Sequence, residues 1–233
     1  MILYVNGDSH TAAAEAVNPH AFAEDDPAMT QLGRTPHPNN LAVSWSKLLS
    51  MSLKAGFHCA AESASSNARI LRTTRNWISQ QRGFNDVLII IQWSTWEREE
   101  WLYNGTWYQV GASGTDSVPP EAAERYRNYI VDIDWQQKTL EAHNQIWELH
   151  QELSDQGVRH IFFNGNNDFD RITDRQDWGT SYIGPYDKAM TYDAIIRAKG
   201  IQTVAPKSWH FGRDGHSYFH RFILNYVMSN GFI

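Results

Sequence analysis

One cysteine, Cys59, stands in 233 residues, so no disulfide forms within the chain and nothing in it requires an oxidising compartment. It lies in the apolar stretch from Gly56 to Ala61 and reads as a small core residue. Basic residues are sparse as well. Twenty Lys and Arg against 26 Asp and Glu give a net charge of −6, with no Lys/Arg run, which leaves no electrostatic basis for a nucleic-acid partner. No apolar run approaches a membrane span, and the N-terminus lacks the basic and apolar segments of a secretory signal. A cytoplasmic location without membrane contact is therefore expected. Metal-ligand spacings and glycine-rich phosphate loops are missing too, so no metal and no cofactor are expected.

What the chain does have is alternation. Apolar runs at Ile2–Val5, Gly56–Ala61, Val87–Gln92, His160–Asn164 and Gln202–Val204 read as five strands. Helical patterns separate them: Asn40–Leu53, Asn67–Gln81 with Gly83 as a stop, a long stretch from Pro120 to Gly157 that reads as one bent helix or two, and a final amphipathic helix from Ser217. Strand and helix in turn predict one α/β domain over residues 1–233 with a mostly parallel five-stranded sheet. Such sheets gather ligands at the carboxyl ends of their strands. Polar stretches at Asn18–Asn40, Glu97–Pro120 and Asp168–Asp187 read as surface loops.

The first strand ends in Gly7-Asp8-Ser9, and Ala12 to Ala16 read as the start of a helix. Ser9 then has two readings. It is a helix cap accepting from a first-turn amide, or a nucleophile held on a strand-to-helix turn. Asp8 is expected to tie the turn through backbone amides. A nucleophilic serine needs a base and an orienting acid. His216 is the best-placed base, in a polar turn before the last helix with Asp214 two residues earlier; His210 and His220 are its rivals.

In this order of elements, with Gly7-Asp8-Ser9 after the first strand and Asp214-Gly215-His216 before the last helix, the chain resembles the SGNH, or GDSL-type, hydrolase superfamily. In detail it is most similar to the SGNH-like proteins of tailed phages, marine ones included. The resemblance implies a flavodoxin-like α/β/α esterase in which Ser9 is the nucleophile and His216 with Asp214 the base pair. It also implies an oxyanion site built from the amides of Ser9 and Ala64. The family carries Gly where Ala64 stands. After the third strand it carries Gly-x-Asn-Asp, where this chain has Ser94 and Thr95 at the Asn position and the next, with Arg98 just beyond as a candidate substrate-binding group. Gly165-Asn166-Asn167-Asp168 matches that pattern in letters but follows the fourth strand and reads as a turn. Ten Trp are present, and Trp93, Trp96, Trp101 and Trp107 crowd one segment. They read either as exposed faces for sugar rings or as a lid packed by its own aromatics. The expected substrate is a small ester or an acylated carbohydrate losing an acyl group such as acetate. The alternative is a phage virion component or glycan-binding protein that keeps the fold without catalysis, in a host cytoplasm or a virion.

Overall fold

The computed structural model describes residues 1–24, 31–112 and 118–233. The parts of the expected loops at 25–30 and 113–117 lie outside them.

Four strands, β1 (Ile2–Asn6), β2 (Gly56–Cys59), β3 (Val87–Trp93) and β6 (Arg159–Asn164), form one parallel sheet in the order β2-β1-β3-β6. Leu3 stands opposite Phe57 on one side and Leu88 on the other, and Ile91 opposite Phe162. Every residue of β3 is buried, the pattern of a strand covered on both faces. Alternate side chains leave the sheet in opposite directions. Ile89, Ile91, Trp93 and Phe162 pack with α3 (Asn67–Ser79) and α5 (Trp135–Asp155) through Ile70, Trp77, Ile146 and Leu149. Leu3, Val5, Ile90 and Phe163 pack on the other face with α2 (Trp45–Ser52), α6 (Tyr192–Ala198) and α7 (Arg213–Ser229). The result is the expected three-layer α/β/α arrangement, and β1 and β3 flank the point where the strand order reverses, the place where such sheets bind ligands.

Several expectations need correction. The fifth strand is absent from the sheet: around Gln202–Val204 there is only a single bridge, Thr203 to Phe211. Three residues after Gly200 are too few to build a ladder, and exposed Gln202 and Val204 give it no face to bury. The Asn40–Leu53 pattern splits into α1 (Pro38–Ala42) and α2, because Ser44 caps the second helix by accepting from the Lys47 amide at 3.0 Å. Of the two readings of the long stretch, two helices is the one found, α4 (Ala123–Asp132) and α5, with Asp134 capping the latter. The segment after β3 holds a hairpin, β4 (Glu99–Tyr103) and β5 (Thr106–Val110), turned at Asn104-Gly105, the dipeptide that hairpin turns favour. Trp93, Trp96 and Trp101 are buried, and Arg72 lies 4.4 Å over the Trp107 ring, so the aromatic-rich segment packs on the body through its own rings. Among the described residues no helix is long and apolar enough to cross a membrane.

Two close approaches set the strand ends. The buried Gln92 side chain accepts from Thr11 Oγ1 at 3.0 Å and donates to the Trp93 carbonyl at 3.1 Å. A Cβ on Gly7 would stand 2.9 Å from Gln92 Oε1, and one on Gly165 2.6 Å from its Nε2. Gln92 is thus gripped between the residues that end β1 and β6. Overpacking of this kind costs about 1–3 kcal/mol. Gly165→Ala is expected to lower unfolding free energy in urea by that amount, and a double-mutant cycle with Gln92→Ala to show coupling of at least about 0.5 kcal/mol. Additive effects would contradict the contact.

Candidate functional site

Ser9 follows β1 directly. Residues 9 to 15 form consecutive turns in place of the expected helix, with Ala13 and Glu15 in the left-handed region at φ 56° and 63°. Left-handed backbone is disfavoured for residues with a Cβ, and it interrupts any helical ladder. Ser9 is consequently no helix cap. The turn is held by the Asp8 carbonyl, which accepts from the Thr11 and Ala12 amides at 3.1 and 2.9 Å.

The Asp8 carboxylate reaches much further than the backbone amides expected for it. One oxygen accepts from the His10 amide at 3.0 Å; the other accepts from Ser94 Oγ at 2.9 Å and Arg98 at 3.1 Å. Burial opposes its charge, but His10, Arg98 and these donors together hold its pKa below the usual carboxylate value. Ser94 gives its hydroxyl proton to Asp8 while accepting from Arg98 at 2.9 Å. Its backbone is clamped by Asn67, which accepts from the Ser94 amide at 2.8 Å and donates to the carbonyl at 3.2 Å. Thr95 turns its hydroxyl to Glu97 at 2.9 Å. The structure therefore brings Ser94 and Arg98 together beside Asp8, and turns Thr95 away.

Ala64 has φ 69°, the conformation that glycine adopts freely. The backbone shape of a glycine turn is kept although a methyl group is present. Neither the Ser9 nor the Ala64 amide donates to a described group, and unclaimed amides at a turn of this kind are rare away from solvent. The two turns touch, since the Glu62 amide donates to the Gly7 carbonyl at 3.2 Å. Glu62 itself is buried, pairs with Arg69 at 2.5 Å and accepts from the Gly33 amide at 2.9 Å, which fastens the 31–36 loop beside the site.

The Asp214 and His216 pair is not brought together. Both lie in the first turn of α7, a turn earlier than the expected helix start; Asp214 is exposed and His216 is buried. His216 Nδ1 accepts from the Trp45 amide at 3.3 Å and lies 3.5 Å from Tyr192 Oη. Burial, with His10 and His210 adding to it, lowers its pKa to about 3. His220 meets Ser52 at 2.9 Å on the α2 side. The remaining rival has the carboxylate partner: His210 Nδ1 stands 2.8 Å from Glu15 Oε2, which also accepts from Ser208 Oγ at 2.6 Å. The His210 ring lies 5.7 Å from that of His10, the residue after Ser9. Glu15 escaped sequence reasoning because 195 residues separate it from His210; its only signal was a carboxylate six residues after Ser9. Cys59 packs against the core, its thiol pushed up to about 11 by burial. Gly165 and Asn166 bend the chain after β6. Among the described residues no group of three or more His, Cys, Asp or Glu is arranged to hold a metal.

Fold and site together define a three-layer α/β protein with a serine turn at the sheet's switch point. The chain belongs to the family of unknown function DUF6071, which it matches over residues 23–167. No curated protein matches it. Among solved structures it is similar to a lipolytic protein of the G-D-S-L family from Veillonella parvula, with 10% identity over 98% of this chain and 97% of that one and a TM-score of 0.47. A psychrotrophic esterase from Pseudoalteromonas gives 8% identity, 98% and 97% coverage and a TM-score of 0.49. An acetyl xylan esterase from Butyrivibrio proteoclasticus gives 13%, 97% and 63%, and 0.43.

Three of the four buried histidines among the described residues give the protein a pH signature. Burial lowers His10 and His160 to about 4 and His216 to about 3, against about 6.5 in an unfolded chain. The folded values are depressed, so stability is complete above pH 6.5 and drains as the unfolded state takes up protons below it. The rate is about 1.4 kcal/mol per histidine per pH unit. Urea unfolding free energy is expected to fall by on the order of 5 kcal/mol between pH 7.5 and 5, and His160→Asn to remove roughly a third of that slope. A flat profile would contradict the neutral, buried state of these rings.

Proposed function

We propose that the chain is a serine ester hydrolase that removes a small acyl group, such as acetate, from a hydroxyl of a carbohydrate or similar small ester. The observation that carries this reading is the Glu15–His210 pair beside the Ser9 turn. Its hydrogen bond to Glu15 puts the His210 proton on Nδ1 and leaves Nε2 as a base. His216 has the opposite arrangement. With Nδ1 accepting from an amide, the neutral ring carries its proton on Nε2 and has no lone pair there for a serine proton.

In this reading His210 takes the Ser9 proton as Oγ attacks the ester carbonyl. The tetrahedral oxyanion is held by the unclaimed amides of Ser9 and Ala64. His210 then passes the proton to the leaving alcohol oxygen as the carbon–oxygen bond breaks. Water, deprotonated by the same histidine, releases the acid from the acyl-serine. Ser94 serves as a positioning residue, since its hydroxyl is given to Asp8. That commitment also favours the competing reading, a glycan-binding protein of the same fold without activity.

Hydrolysis of 4-nitrophenyl acetate separates the two. Ser9→Ala is expected to lower kcat/KM by at least about 10³-fold and Glu15→Gln by about 10²–10⁴-fold, with Asp214→Asn within about twofold of the parent. Equal rates in parent and Ser9→Ala would refute the hydrolase, and a loss confined to Asp214→Asn would move the base to His216.

A further inference from the structure

A cavity of about 200 Å³ opens on the Asp8 side of the serine turn, between the start of α3, the approach to β4 and the face of α5. Its wall includes Asn67, Trp96, Arg98, Lys138, Glu141 and Gln145. Every cation in that wall already meets a carboxylate: Arg98 pairs with Asp8 at 3.1 Å, and Lys138 with Glu99 at 2.6 Å and Glu141 at 3.7 Å. Glu100 is taken by a two-pronged Arg72 at 2.8 and 2.6 Å. With four carboxylates against three cations, partners included, the wall has no field to select an anion, and its ion pairs leave no open carboxylate group for a metal. Hydrogen-bonding capacity remains on both sides. Paired carboxylates keep spare lone pairs, Gln145 is exposed, and no described group accepts from the Trp96 indole N–H, whose ring stacks on Phe169 at 4.7 Å. Apolar surface is supplied by Trp96, Ala68 and Ala142. Dense donors and acceptors whose charges are tied up in ion pairs, around a small space with an aromatic wall, suit a ring that carries hydroxyls and no charge.

We propose that this cavity binds one neutral sugar unit. Arg98 forms its wall and also holds Asp8, the residue before Ser9. The sugar's use as the alcohol half of an ester rests on the hydrolase reading; the binding itself does not.

The test is ligand-observed NMR with neutral methyl glycosides of gluco, galacto, manno and xylo configuration, beside glucuronate and glucosamine. The proteins are the parent chain, Ser9→Ala, Glu141→Ala and the exposed Gln145→Ala. At least one neutral glycoside is expected to bind the parent and Ser9→Ala equally, with Glu141→Ala and Gln145→Ala each weakening it about fivefold or more. The charged sugars are expected to bind no tighter. Absence of binding up to about 50 mM, binding unmoved by both cavity variants, or preference for a charged sugar would each overturn the proposal. Sugar binding without ester hydrolysis would fail the hydrolase reading alone, and hydrolysis without sugar binding would fail the cavity alone.

Discussion

The buried carboxylate of Asp8 is the interaction on which the rest of the site depends. Desolvation alone would expel its charge, and it stays because an amide, a hydroxyl and a guanidinium all point at it. The amide comes from the turn after β1; the other two come from the segment after β3. The carboxylate therefore joins the ends of the two strands that flank the sheet's switch point, with Ser9 as the next residue. Removing one partner of such a buried charge typically costs about 3–5 kcal/mol, so Ser94 and Arg98 are fixed by Asp8 as firmly as Asp8 is by them.

Around this joint the site is built from element ends, which are stiff, and from contacts between segments far apart in the chain. Gln92 fills the space beneath Gly7 and Gly165. Asn67 at the start of α3 clamps the backbone of Ser94. Glu15 and His210 meet across nearly the whole chain. Ala13, Glu15 and Ala64 take left-handed conformations within the Ser9 turn and the turn beside it, and such strain persists only where the surroundings hold it.

The layered fold was legible because hydrophobic period carries it. The β3 run and the spacing of Ile70, Leu71 and Thr74 in α3 predict their elements directly. The turn that carries Ser9 was legible because a glycine after a buried strand is a local signal. Other features rest on tertiary contacts that no local pattern encodes. The fifth strand needed partners that its short, exposed segment does not find, and the helix expected after Ser9 gave way to turns stabilised from outside. The Asp214–His216 pair looked suitable by proximity in sequence, yet the first turn of α7 sends one residue to solvent and the other inward. His210 gained its carboxylate from Glu15, a pairing that only the folded chain creates. Trp96 and Trp101 were ambiguous for the same reason: a tryptophan among charges is a surface or a packed lid according to what closes over it.

The central claim is that Ser9 is a nucleophile served by His210 and Glu15. The most direct measurement is covalent labelling with an alkyl fluorophosphonate, in which the serine oxygen displaces fluoride from phosphorus, followed by intact mass and peptide mapping. One adduct on the peptide that contains Ser9 is predicted, absent from Ser9→Ala and formed far more slowly in Glu15→Gln. A folded protein that takes up no label, or takes it elsewhere with Ser9 untouched, would contradict the account.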